Sequence, residues 1–293
     1  MGHTNMIAKI ANNSALSNLL FAGIVGMLCL LSAPLAAQQV AVIHCQGSCP
    51  AYDSAIVANR SNVVIHHVYA AGLNNQTAVA DWVAYHLDGD AVGVASLLPR
   101  NWQSDRLLRF SDAGDLIEVG GSDFSLAEIS VDVSPYAGLG DPSIKEEETV
   151  RMAPITSFAN SPYWSELNNV SNMVPMPANL RLGPWLRLEQ SLNQFVEANE
   201  DLFVVAGPLY LINQPLSTSL FDVNFGPAAY FKIVSNEEGY VAFMFTANIG
   251  RFDSFCESRV ELEQIELMSG LEVFPGREPQ ESFDLLNDLG CSN

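Results

Sequence analysis

The side chains able to ligate a metal, titrate near neutrality or form a cross-link are few and unevenly placed. Apart from position 3, histidines stand only at His44, His66, His67 and His86, all in the first third of the chain. Beyond position 40 the cysteines are Cys45, Cys49, Cys256 and Cys291. A structural zinc centre needs ligands in two halves with characteristic spacing. His44 adjoins Cys45-x-x-x-Cys49, but no second half follows. An even cysteine count in an exported chain points instead to two disulfides, with three pairings open. Cys45 and Cys49 either close a small loop or staple the N-terminal part to the C-terminal part. His66 and His67 fall in a β-rich run, where adjacent residues point to opposite faces.

Those side chains must be positioned by something, and the chain supplies material for a large core. Of its 293 residues 48% are hydrophobic and 9% aromatic, with 15 prolines and 20 glycines scattered as turn formers. Lys9 precedes an apolar stretch from Leu19 to Leu31 and then Ser32-Ala33-Pro34-Leu35-Ala36-Ala37, the order of a secretory leader. Residues 1–37 are therefore expected to be a signal peptide cut after Ala37, and residues 38–293 one exported domain, periplasmic or secreted. No other stretch is long and apolar enough to span a bilayer. The formal charge is −20, one unit more negative once Lys9 is removed. Such a field repels phosphates at long range, so an anionic ligand would need a local basic patch or a bound cation.

The patterning predicts an α+β domain. Asn62–Ala71 reads as a strand, Asn74-Asn75 as a turn and Asp81–Leu87 as the returning strand. Asp112–Glu148 reads as a long acidic surface excursion. Gly183–Glu197 reads as a helix, with Pro184 in its first turn and Trp185, Leu188, Leu192 and Phe195 on one face. Asp201–Tyr210 reads as a buried strand, Tyr230–Val234 and Tyr240–Phe245 as a hairpin, and Arg259–Met268 as a helix closed by Gly270.

Eight pieces in this order resemble the DNA/RNA non-specific endonucleases, the secreted bacterial and mitochondrial nucleases of the ββα-metal class. They are Trp82-Val83-Ala84-Tyr85, Arg100-Asn101-Trp102, Met152-Ala153-Pro154, Ser171-Asn172-Met173-Val174-Pro175, Gly183-x-Trp185-x-x-Leu188-Glu189, Val204-Val205-Ala206-Gly207-Pro208, Tyr230-Phe231-Lys232 and Ser269-Gly270-Leu271 with Phe274-Pro275. The resemblance implies a ββα-metal fold, with a central antiparallel sheet and a helix that carries part of the site. It also implies Mg2+-dependent hydrolysis of DNA or RNA, read through the phosphate backbone without sequence preference. In that family a histidine is the general base and an asparagine holds a hydrated Mg2+. By the same resemblance Arg100 matches the phosphate-contacting arginine, Asn172 the supporting asparagine and Glu189 the helix glutamate.

Two positions depart from the family pattern. Arg151 stands where the histidine of an Asp-Arg-Gly-His segment would be. Arg181, eight residues before Glu189, stands where the metal asparagine would be; Asn179 is a substitute only if the loop is shifted. An arginine stays protonated at ordinary pH and cannot take a proton from water. Loss of a general base alone costs a factor of about 10² to 10⁴. A guanidinium at position 181 would repel a cation while offering bidentate contacts to phosphate. Read singly, Arg100 is an ordinary surface cation, Asn172 a turn residue and Glu189 an exposed helix carboxylate. Two functions remain: a nuclease of the family with weak or lost activity, or a non-catalytic descendant, a pseudoenzyme, that binds nucleic acid or another phosphate-bearing ligand through Arg100, Arg151 and Arg181.

Overall fold

The computed structural model describes residues 42–53, 61–74, 80–100, 103, 105–107, 149–198, 200–210 and 227–291. The expected leader, the excursion at 112–148 and the pair Asn101-Trp102 lie outside the described residues. In chain order the strands are β1 (Ala51–Tyr52), β2 (Ser61–Ile65), β3 (Ala70–Asn74), β4 (Ala80–Leu87), β5 (Thr149–Arg151), β6 (Met173–Pro175), β7 (Leu202–Leu209), β8 (Ala229–Ser235), β9 (Tyr240–Thr246) and β10 (Leu271–Glu272). The helices are α1 (Ala178–Arg181), α2 (Pro184–Ala198), α3 (Leu262–Ser269) and α4 (Phe283–Asp288). No helix among the described residues is long and apolar enough to cross a membrane.

Six strands form one antiparallel sheet in the order β2-β3-β4-β7-β8-β9. Because side chains alternate along a strand, the sheet has two buried faces. On one face Val83, Tyr85, Val204, Tyr230 and Phe245 pack with Trp185, Leu188, Leu192 and Phe195 of α2. On the other, Trp82, Ala84, Val205, Phe231 and Ile233 pack with Leu262 and Ile265 of α3 and with Leu271, Val273 and Phe274. The helix–sheet–helix layering follows from strands that are apolar on both sides.

The strand expected over 62–71 is divided. The His66 N–H donates to the Tyr69 carbonyl at 2.8 Å, and Ile65 pairs with Ala70, so His66 and His67 occupy a hairpin turn. This turn contains no glycine, proline or asparagine, which is why a β-branched run concealed it. The helix expected over 259–268 starts only at Leu262, because Arg259 turns away to pair with Glu281 at 2.7 Å. Gly270 ends it in the left-handed conformation, φ 67°. The disulfides are Cys45–Cys49 and Cys256–Cys291. Of the three open pairings, the one with the small N-terminal loop is realised.

Strands β4 and β7 are neighbours in the sheet yet 115 positions separate Leu87 from Leu202, its partner in register. Gly207 permits their close approach: a methyl group there would run into the Asp81 carbonyl and lie 2.8 Å from the Phe231 ring. Gly207→Ala should therefore destabilise the fold by about 1–3 kcal/mol, read as a lowered thermal midpoint. An unchanged midpoint would mean that β4 and β7 separate without cost.

Candidate functional site

Strands β5 and β6 pair antiparallel, with Arg151 opposite Met173, and α1 and α2 follow. This hairpin and helix form a ββα unit lying against the sheet. The chain between the two strands runs through 3-10 turns at Ile155–Phe158, Trp164–Asn168 and Val170–Asn172. Asn172 organises that path. Its Oδ1 accepts the Ala153 N–H at 2.8 Å, and its Nδ2 donates to the Ala153 carbonyl at 2.9 Å and the Leu167 carbonyl at 3.0 Å. Fully buried, Asn172 acts as a side-chain bracket for the Met152-Ala153-Pro154 segment.

Arg151 points from the end of β5 to the loop beside it. Its Nε and Nη2 donate to Asn168 Oδ1 at 3.1 and 2.8 Å, and Nη2 also donates to the Arg100 carbonyl at 2.6 Å. Asn168 returns a bond from Nδ2 to the Pro99 carbonyl at 3.1 Å. Arg151 thus fastens the Pro99-Arg100 backbone to the 3-10 turn, while the Arg100 side chain is exposed. Arg100, Arg151, Asn168 and Asn172 are brought together in one hydrogen-bonded neighbourhood.

Glu189 faces the sheet instead of solvent. Only 7% exposed, its Oε1 accepts from Lys232 Nζ at 3.0 Å, and Lys232 is wholly buried in β8. The ammonium also sits 4.0 Å from the centre of the Trp185 ring, where the π face favours a cation. Burial pushes the Glu189 carboxyl up and the Lys232 ammonium down, each opposed by the attraction of its partner. The reading of Glu189 as an exposed carboxylate is corrected: the apolar sheet face under α2 draws it inward, and Lys232 meets it there. Lys232, a lone cation within an apolar strand, was the signal for such a partner. Asn168 gave no signal in the sequence.

Arg181 ends α1, half-buried, and Asn179 is exposed two residues earlier. Positions two apart on a helix point to different sides, so Asn179 and Arg181 face different directions from α1. Gly183 lets the α1–α2 turn approach the 251 backbone: a Cβ there would lie 2.9 Å from Arg251 Cα. Arg187 closes that contact by donating to the Arg251 and Asp253 carbonyls.

The residues present do not fit a hydrated divalent cation. The Asn172 amide is committed to backbone, Glu189 faces an ammonium, and guanidinium groups occupy positions 151 and 181. Among the described residues no group of three or more His, Cys, Asp and Glu is placed to hold a metal. The histidines lie on other elements with other partners: His66 with Asp105 at 2.7 Å, His67 with Glu166 at 2.7 Å and His86 with Asp201 at 3.0 Å. His44 meets the His66 carbonyl at 2.8 Å, and burial lowers its pKa.

The family profile of the DNA/RNA non-specific endonucleases matches residues 51–280, and the chain belongs to that family. A Serratia marcescens protein described as a nuclease is 28% identical over 262 residues, covering 85% of this chain and 89% of that one. A solved structure described as the EndoG/EndoGI complex is 17% identical and covers 74% of this chain and 86% of that one, with a TM-score of 0.48. The antiparallel sheet with its ββα unit is the fold expected of the family. Its members are metal-dependent nucleases, so the mismatch lies at the site and not in the scaffold.

The Lys232–Glu189 pair yields a stability prediction. Removing one partner leaves an uncompensated buried charge, so Lys232→Met should cost about 3–5 kcal/mol. Replacing both, as Lys232→Met with Glu189→Leu, should restore most of that loss. Urea denaturation of the two variants checks it; a double variant as unstable as the single one would show that the pair itself supplies the stability.

Proposed function

We propose that this chain is an exported member of the family in which Mg2+-dependent hydrolysis of nucleic acid is weak or lost, and which binds phosphate-bearing chains through arginines. The observation that carries this reading is the setting of Arg151. A permanently protonated group occupies the general-base position, and its hydrogen bonds are committed to Asn168 and the Arg100 backbone. Rotating a histidine from elsewhere into its place would break the pairings of His66, His67 or His86. Arg181 at the metal position favours an anion over a cation. Arg100, whose carbonyl accepts from Arg151, presents an exposed guanidinium suited to phosphate. Export is supported by the leader-like N-terminus and by two disulfides, which persist in oxidising compartments.

Plasmid nicking by the protein from Gln38 onward, with Mg2+ and with EDTA, tests the catalytic half of this reading. The natural chain should give no EDTA-sensitive nicking above the buffer background. The paired variant Arg151→His with Arg181→Asn restores the family residues at both departures and should gain measurable nicking. EDTA-sensitive cleavage by the natural chain would establish a working nuclease and sink the proposal.

A further inference from the structure

Between Pro99 and Leu107 the described residues are Pro99, Arg100, Gln103, Asp105, Arg106 and Leu107, and the fold fastens the chain near both arginines. At the first end stand the bonds from Arg151 and Asn168 to the Arg100 and Pro99 carbonyls. In the middle, Gln103 N–H donates to the Asn168 carbonyl at 3.0 Å and Val170 N–H to the Gln103 carbonyl at 3.1 Å, a parallel bridge. At the far end is Asp105, a carboxylate only 2% exposed. Its Oδ2 faces His66 Nε2 at 2.7 Å and accepts the Ser171 hydroxyl, and its Oδ1 accepts the Leu107 N–H at 2.9 Å. Since Ser171 donates there, the Tyr69 hydroxyl donates to Ser171 Oγ at 2.7 Å.

This anchoring has a consequence for Arg106. The one carboxylate beside it in sequence is turned inward and satisfied, so it does not compete for the guanidinium. Arg106 is exposed. Among the described residues no acceptor is hydrogen-bonded or ion-paired to the side chain of Arg100 or Arg106, whereas Arg151, Arg187, Lys232, Arg259 and Arg277 all reach internal acceptors. In a chain with 13 Lys and Arg against 33 Asp and Glu, two exposed arginines six positions apart, neither paired among the described residues, are a local excess of positive charge.

We infer that Arg106 is a second phosphate contact, carried on the same strap as Arg100 by the buried Asp105 anchor, so that the ligand is a chain of phosphates and not a single one. The inference rests on the phosphate-binding half of the function proposed above. Six residues of chain span at most about 20 Å. An oligonucleotide lying along the strap meets both arginines, and a lone phosphate meets one. Contacts to phosphates fix register without reading base edges, so two arginine–phosphate contacts suit sequence-independent binding.

Fluorescence anisotropy with a labelled DNA duplex, titrated across a range of salt, tests this with the natural chain, Arg100→Gln, Arg106→Gln and Arg106→Lys. Arg106→Gln should weaken binding, and the slope of log K against log salt should become shallower by about 0.9, the value for one phosphate contact. Arg106→Lys should recover the slope, and both Arg106 variants should melt like the natural chain. If Arg100→Gln weakens binding while Arg106→Gln matches the natural chain in affinity and slope, the inference is overturned and the phosphate-binding reading stands. If inorganic phosphate displaces the duplex as well as unlabelled duplex does, phosphate for phosphate, the site takes single phosphates and the inference is likewise overturned. If the natural chain shows no salt-dependent binding, the phosphate-binding reading itself falls.

Discussion

A lysine with no access to water must have a counter-charge, and here that requirement fixes how the helix sits on the sheet. Lys232 projects from the middle of β8, and Glu189, one turn beyond Trp185 on α2, is the carboxylate that meets it. Apolar packing alone tolerates sliding or rotation of a helix at modest cost, because many hydrophobic contacts are interchangeable. A buried ion pair does not, since displacement leaves two charges unsatisfied. The position of α2 in turn sets α1, the close turn at Gly183 and the strand β6 that precedes them. The ββα unit is thus indexed to the sheet by one electrostatic contact.

Within that frame the unit carries fixed positive charge. Guanidinium groups, which stay protonated at ordinary pH, stand at positions 151 and 181. Arg151 is not a loose end. It acts as a structural strut, drawing the Pro99-Arg100 backbone onto Asn168. Asn172 stays in place because its amide is integral to the loop, whatever happens at the neighbouring positions. Family membership and guanidinium groups at positions 151 and 181 are therefore compatible, since the scaffold is held by packing and hydrogen bonding.

Much of the scaffold was legible in the sequence because it is periodic. Helix α2 begins at the proline that suits its first turn and buries the residues spaced three and four apart, and the β8–β9 hairpin lies within a residue of its expected bounds. What escaped was aperiodic. The His66–Tyr69 turn closes through a backbone bond with no turn residue to announce it. Arg259 leaves the helical register for a carboxylate 22 residues away, a pairing invisible to local patterning. At the site, Arg151, Arg181 and Asn172 could be singled out as candidates by order and spacing. Their partners could not: the choice of Asn168 for Arg151 and of Lys232 for Glu189 depends on how separate segments come together.

The sheet register has a consequence of its own for how this lineage can vary. Leu87 and Leu202 are partners on adjacent strands, so everything between them is an excursion leaving and rejoining the sheet at one place. The entropy of closing such a loop grows only with the logarithm of its length. Insertions or exchanges on the excursion's outer surface scarcely trouble the hairpin at its feet. Selection on function and selection on folding therefore act on largely different residues. A lineage on this architecture can abandon one reaction, or acquire another ligand, by rewriting exposed positions while its sheet drifts hardly at all.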